Sequence, residues 1–130
     1  MDTNIKFKVK TLQYLSLVRY KALPKILYKL SKKNIGIILD FEDSSKDIFN
    51  AKNTFYLKNQ CRIGFEYLNK LKINHPNIFI RINSTKSKHF ENDIIVLKKN
   101  LNKGIKIKSI FVPKVESYNQ LSHLNKVLEV

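Results

Sequence analysis

Apolar residues along this chain fall into short blocks separated by longer amphipathic stretches. Four blocks have strand length and are rich in β-branched or aromatic residues: 14–18 (YLSLV), 35–41 (IGIILDF), 78–82 (IFIRI) and 108–112 (KSIFV). The stretches between them carry apolar residues at helical spacing. Residues 24–30 open with Pro24, which a first helical turn tolerates, and continue through Ile26, Leu27 and Leu30. Residues 51–72 place Phe55, Cys61, Phe65, Leu68 and Leu71 broadly on one face. Asn74 to Asn77 (NHPN) is a breaker. Residues 90–101 carry Ile94, Ile95, Leu97 and Leu101, with Gly104 expected to cap the exit. Residues 118–128 stack Leu121, Leu124 and Leu128. Near the start, Ile5, Phe7 and Val9 alternate with lysines, the period of one further strand.

The order is strand then helix, four times over. Such alternation implies right-handed crossovers and a parallel α/β sheet. The strands are almost continuously apolar, so burial on both faces is expected. Two architectures fit: a small doubly wound sheet, or the first four units of a β/α barrel.

In both, chemistry gathers at the C-terminal ends of parallel strands. The first strand ends near Arg19. The second ends in Asp40-Phe41-Glu42-Asp43, the third in Arg81-Ile82-Asn83-Ser84, and the fourth in Pro113-Lys114-Val115-Glu116-Ser117. Three acids within four residues repel one another unless a cation or an arginine lies close. Arg81, set between isoleucines, needs a partner, and its fork suits a carboxylate. That carboxylate is either Asp40 or Glu42 in a structural pair, or a substrate. Asp43 or Ser44 could equally cap a following turn. Lys114 and Glu116 could pair with neighbours across the rim.

Composition narrows the classes. The 130 residues form one domain, with 43% hydrophobic content, too rich for disorder. No apolar run approaches the roughly 18 residues that span a bilayer, and the start lacks the apolar block of a signal peptide. A single cysteine, Cys61, cannot form an internal disulfide, which makes a reducing cytoplasm the default and Cys61 a buried structural thiol. The net charge is +15, but 22 of the 25 basic residues are lysine. Nucleic-acid readers lean on arginine and interleaved aromatics, so the charge reads as a solvated basic surface rather than a polyanion site. His75, His89 and His123 show no metal-ligand spacing and are read as surface residues. Gly36, Gly64 and Gly104 stand alone, so there is no glycine-rich phosphate loop.

Three stretches together resemble one family, the citrate lyase beta-subunit-like proteins of the HpcH/HpaI aldolase group. Residues 24–44 (PKILYKLSKKNIGIILDFEDS) resemble that family's helix running into an "LDLEDA" strand. Residues 80–84 (IRINS) resemble "VRINA", and 111–117 (FVPKVES) resemble "LPKVES". Order and approximate spacing agree, over about residues 14–130.

The resemblance implies a partial TIM-type barrel, its first four β/α units. The chemistry would be magnesium-assisted carbon–carbon cleavage or formation on an acyl-CoA or a 2-oxo or hydroxy acid. By that carry-over Arg81 is the catalytic and substrate-binding residue, and Asn83 and Lys114 join it in binding substrate. Asp40, Glu42 and Asp43 would stand near the metal through its waters, with Glu116 a further candidate. The sequence departs from the family at SLVRYKALP (16–24), which has no glycine where the family has an "FVPG" turn. The family's direct metal ligands lie in later strands, beyond the part that this chain matches. A complete barrel takes roughly 250 residues. The 130 residues alone are therefore expected to be weak or inactive, and to pair as a homo-oligomer or with a complementing barrel half.

Three other classes share features with this sequence. A receiver-like signalling module needs a phosphoacceptor aspartate after its third strand, where Arg81 stands. A basic nucleic-acid-binding module would show steep salt dependence. A non-catalytic remnant that binds a partner chain shares the fold and differs only in activity.

Overall fold

A computed structural model describes residues 11–73, 75–101 and 103–128. The Ile5–Val9 alternation lies outside the described residues. Four strands, β1 (Thr11–Ser16), β2 (Ile35–Asp40), β3 (Ile78–Arg81) and β4 (Ile107–Phe111), alternate with four helices, α1 (Leu23–Ser31), α2 (Ala51–Lys70), α3 (Phe90–Asn100) and α4 (Tyr118–Leu128). All strand pairs are parallel and the spatial order is β1-β2-β3-β4.

That order separates the two architectures. A doubly wound sheet reverses its strand order at a switch point. Here each strand pairs with the next in sequence, and the helices pack against one face. Leu23 and Leu27 of α1, Cys61, Phe65 and Leu68 of α2, Phe90, Ile94 and Leu97 of α3 and Leu124 of α4 share one core with Ile37, Leu39, Ile78 and Ile80. These strand residues alternate with Ile38, Asp40, Phe79 and Arg81, which therefore point to the opposite face. This is the singly wound arrangement of partial TIM-like units, and the sheet is not closed.

The second face is not covered as the apolar strands suggested. Ile38 and Phe79 are buried on the two central strands, but Leu12 and Tyr14 on β1 are 44% and 50% exposed. Phe79 stacks on Phe111 with ring centroids 5.6 Å apart. The four-strand sheet shields the middle of this face and leaves its margin bare.

Local chemistry explains the helix boundaries. Pro24 sits in the first turn of α1. The Asn50 side chain caps α2 by accepting from the Asn53 amide. In α3, Glu91 and Asp93 occupy the first turn and Lys98 and Lys99 the last, matching the helix dipole. Gly104 does not cap α3. The helix ends at Leu101, whose amide donates to the Leu97 carbonyl. Gly104 instead lies against Asn69, where an added Cβ would meet the backbone oxygen at 2.2 Å. Close approach, not a left-handed turn, requires that glycine.

Candidate functional site

Asp40 ends β2 and Arg81 ends β3, and the parallel register sets them side by side. Their pairing follows from that register and from the shared face. Arg81 Nε donates to Asp40 Oδ1 at 2.9 Å and Nη2 donates to Oδ2 at 2.8 Å. The turn after β2 adds two more donors to the same carboxylate. The Glu42 amide reaches Oδ1 at 2.9 Å and the Ser44 amide reaches Oδ2 at 3.1 Å. Burial would raise the Asp40 pKa, but Arg81 and these amides outweigh it and hold the carboxyl below its ordinary range. Arg81 is correspondingly held more firmly protonated, chiefly by its hydrogen bonds to Asp40.

The Nε/Nη2 edge of the guanidinium is thus filled. Its Nη1/Nη2 edge faces the remaining acids, Glu42 Oε1 at 3.5 Å and Asp43 Oδ2 at 3.9 Å. The Tyr14 ring lies against the guanidinium face, 4.5 Å from Cζ to the ring centroid. Lys114 closes the far side with Nζ 3.3 Å from Glu42 Oε2. Its backbone adopts φ 55°, a region few non-glycine residues occupy. Glu42 is buried and Oε2 accepts no hydrogen bond, so Lys114 answers it by charge alone.

The rim therefore gathers Arg81, Asp40, Glu42, Asp43 and Lys114. Asn83 is turned elsewhere: its amide and side-chain Nδ2 both donate to Asp93 Oδ2, at 2.8 and 2.6 Å. Glu116 is exposed and pairs with Lys86. Arg19 is exposed on the loop after β1.

Lys58 was missed. It is 4% exposed and donates to the carbonyls of Phe41, at 2.7 Å, and Glu42. It thereby pins the turn that carries the acids. Burial lowers its pKa, while Asp93, Cys61, Asp40 and Glu42 oppose that shift. A signal did exist. Lys58 sits three residues before Cys61, on the stripe that Phe65 and Leu68 continue, where an apolar residue is the norm.

Two histidines read as surface residues are buried. His75 is 5% and His89 6% exposed, and burial lowers both pKa values. His75 Nδ1 accepts from the Asn77 amide at 3.0 Å. His89 lies edge-on to Phe55, centroids 4.8 Å apart. His123 is exposed. Cys61 is fully buried, and burial pushes its thiol up to about 11, which leaves it inert as a nucleophile at neutral pH.

Magnesium takes several oxygen ligands at once. Among the described residues no group of three His, Cys, Asp or Glu side chains is placed to hold a metal. Both Asp40 oxygens are already doubly engaged. These residues do not fit a directly coordinated magnesium ion.

No protein-family model matches the sequence, and no curated protein matches it. One solved structure that does match is the protein CitE from Mycobacterium tuberculosis, in complex with magnesium, acetoacetate and coenzyme A. The TM-score is 0.61 at 19% identity, covering 88% of this chain and 35% of that one. The likeness shows the fold, and this chain spans about a third of the length of that protein. No helix among the described residues is long and apolar enough to cross a membrane.

Proposed function

We propose that the chain is the N-terminal part of a carbon–carbon lyase barrel, and that its rim receives the carboxylate or carbonyl of a 2-oxo or hydroxy acid, free or as an acyl-CoA. The observation that carries this is the divided guanidinium of Arg81. Asp40 holds one edge with two hydrogen bonds, and the other is turned to the sheet rim, where Glu42 and Asp43 approach it at 3.5 and 3.9 Å. A planar carboxylate suits that edge, taking the place of Glu42 and Asp43. Lys114 would add positive charge where an enolate develops. Asp40 acts as the positioning residue and Lys58 fixes the turn. The solved neighbour's acetoacetate and coenzyme A support this substrate class, and its magnesium supports a metal-dependent reaction. The metal's direct ligands would come from residues other than those at this rim, with Glu42 and Asp43 reaching it through waters.

The test is a titration of the purified chain with acetoacetate and with oxaloacetate, read by NMR at Arg81 Nε and the Glu42 amide. Saturable shifts are expected, weakened about tenfold or more in Arg81→Lys, because a point charge cannot replace the fork. No saturable shift with either acid would refute the reading. Magnesium-dependent cleavage of malyl-CoA by the 130 residues alone is expected to be weak or undetectable.

A second reading, a partner-binding α/β module, has its own observation. Among the described residues the outer edges of β1 and β4 pair with no further strand, and Leu12 and Tyr14 stand exposed on β1. Open edges and a bare apolar margin invite a second set of β/α units. A concentration-dependent mass above one chain in light scattering would support self-association.

A further inference from the structure

Beside the rim, on the helix side of Glu42, lies a pocket of about 120 Å³ whose wall includes Lys46, Lys58, Lys114, Ser84, Ser87 and His89. Drug-sized ligand sites run to roughly 300–1,000 Å³, so this one admits an ion or a small group, not a cofactor. Its donors are left over from the fold. The Lys58 ammonium has three protons, uses two on the carbonyls of Phe41 and Glu42, and makes no ion pair among the described residues. Ser84 Oγ accepts from the Lys86 amide at 3.3 Å and Ser87 Oγ from the His89 amide at 3.1 Å, which leaves both hydroxyl protons to donate. His89, buried, has Nδ1 with no hydrogen-bond partner. Two carboxylates also border the space, Glu42 and Asp43. Glu42 Oε2 is buried and accepts no hydrogen bond.

We propose that this pocket binds a monohydrogen phosphate group. Three lysines, Lys46, Lys58 and Lys114, outnumber the two acids, so the site favours an anion. The anion must accept from Lys58, Ser84 and Ser87 and also donate one proton, to Glu42 Oε2. A phosphate that keeps a proton does both. Sulfate has no proton at neutral pH and sets lone pair against lone pair at Glu42. Arg81 does not line the pocket, although Glu42, Asp43 and Lys114 border both it and the guanidinium edge assigned to the lyase substrate; the proposal stands without that reading.

The experiment is an NMR titration of the full chain with inorganic phosphate at constant ionic strength, following the amides of Ser84, Ser87 and His89. A saturable shift is expected, with sulfate weaker by about tenfold. Lys58→Met, checked for a folded spectrum, should weaken phosphate binding about tenfold, and Lys46→Ala, an exposed position, about threefold. Arg81→Lys, which impairs the oxo-acid titration, should weaken phosphate binding far less than Lys58→Met does, because Arg81 does not line the pocket. Glycerol 3-phosphate, whose dianion has no proton to give Glu42, should bind as weakly as sulfate, and its binding as tightly as phosphate would overturn the proton requirement. Equal affinity for phosphate and sulfate, or unaltered binding in both lysine variants, would overturn the proposal.

Discussion

Among the described residues two buried aspartates pair with arginines, Asp40 with Arg81 and Asp93 with Arg62, and the pairs are built for different ends. Asp40 receives two guanidinium bonds and two backbone amides, four donors shared over both oxygens. Asp93 receives one guanidinium bond, from Arg62 Nε at 3.1 Å, and two donors from Asn83. Both carboxylates are 1% exposed, yet their pKa values move in opposite directions. Asp40 is lowered, because its donors overcome burial. Asp93 is raised, because burial exceeds what Asn83 and Arg62 return. Asp93 also lies deeper in the fold, so the sign follows from burial set against the donors that each carboxylate receives. The Asp93 pair ties the tail of β3 to α2 and α3, and Arg62 spends its second group on the His89 carbonyl at 3.2 Å. The Asp40 pair instead presents an arginine edge at the rim.

The sharpest break in that contrast is Arg81→Met. It strands the Asp40 charge in a buried site and should cost about 3–5 kcal/mol in urea unfolding. Asp40→Asn comes next. All four of its donors point at oxygens, so an amide nitrogen in place of either oxygen faces two of them. A loss of about 2–4 kcal/mol is expected by the same measurement. Asp93→Asn should cost less, about 1–2 kcal/mol, since the amide oxygen can still serve both Asn83 donors and the amide nitrogen faces a single donor, Arg62 Nε. A cost equal to that of Asp40→Asn would erase the distinction between the pairs.

The smallest effect is in pH dependence. Asp40, lowered in the fold, contributes stability that is present above the ordinary aspartate value of 3.8 and lost as pH falls through its folded pKa. Asp93, raised, contributes in the other sense: its share is present below 3.8 and lost as pH rises through its folded pKa. Unfolding measured across the acid range should therefore show a shallower acid limb in Asp40→Asn and a steeper one in Asp93→Asn.

Much of this was legible beforehand. The four β/α units and their order followed from apolar periodicity, and the acids, Arg81 and Lys114 were placed at one rim because strand ends converge in parallel sheets. What was not legible depended on contacts between distant residues. Asn83 sits in the same IRIN segment as Arg81, yet it serves Asp93 ten residues on, which a strand-end motif cannot show. His75 and His89 sit in polar loop stretches, between Asn74 and Pro76 and after Lys88, and only packing buries them. Gly104 looked like a helix cap because its reason for being glycine is Asn69, on another element.

By itself the sequence determined the elements, their alternation and the chemical character of the rim, since periodicity and strand-end chemistry are local properties. Tertiary structure decided the rest: the unreversed strand order, the bare margin of the second face, the buried lysine beneath the acid turn, and which edge of Arg81 Asp40 holds and which faces the rim acids. Those are matters of register and burial, set by residues far apart in the chain and invisible until the strands stand side by side.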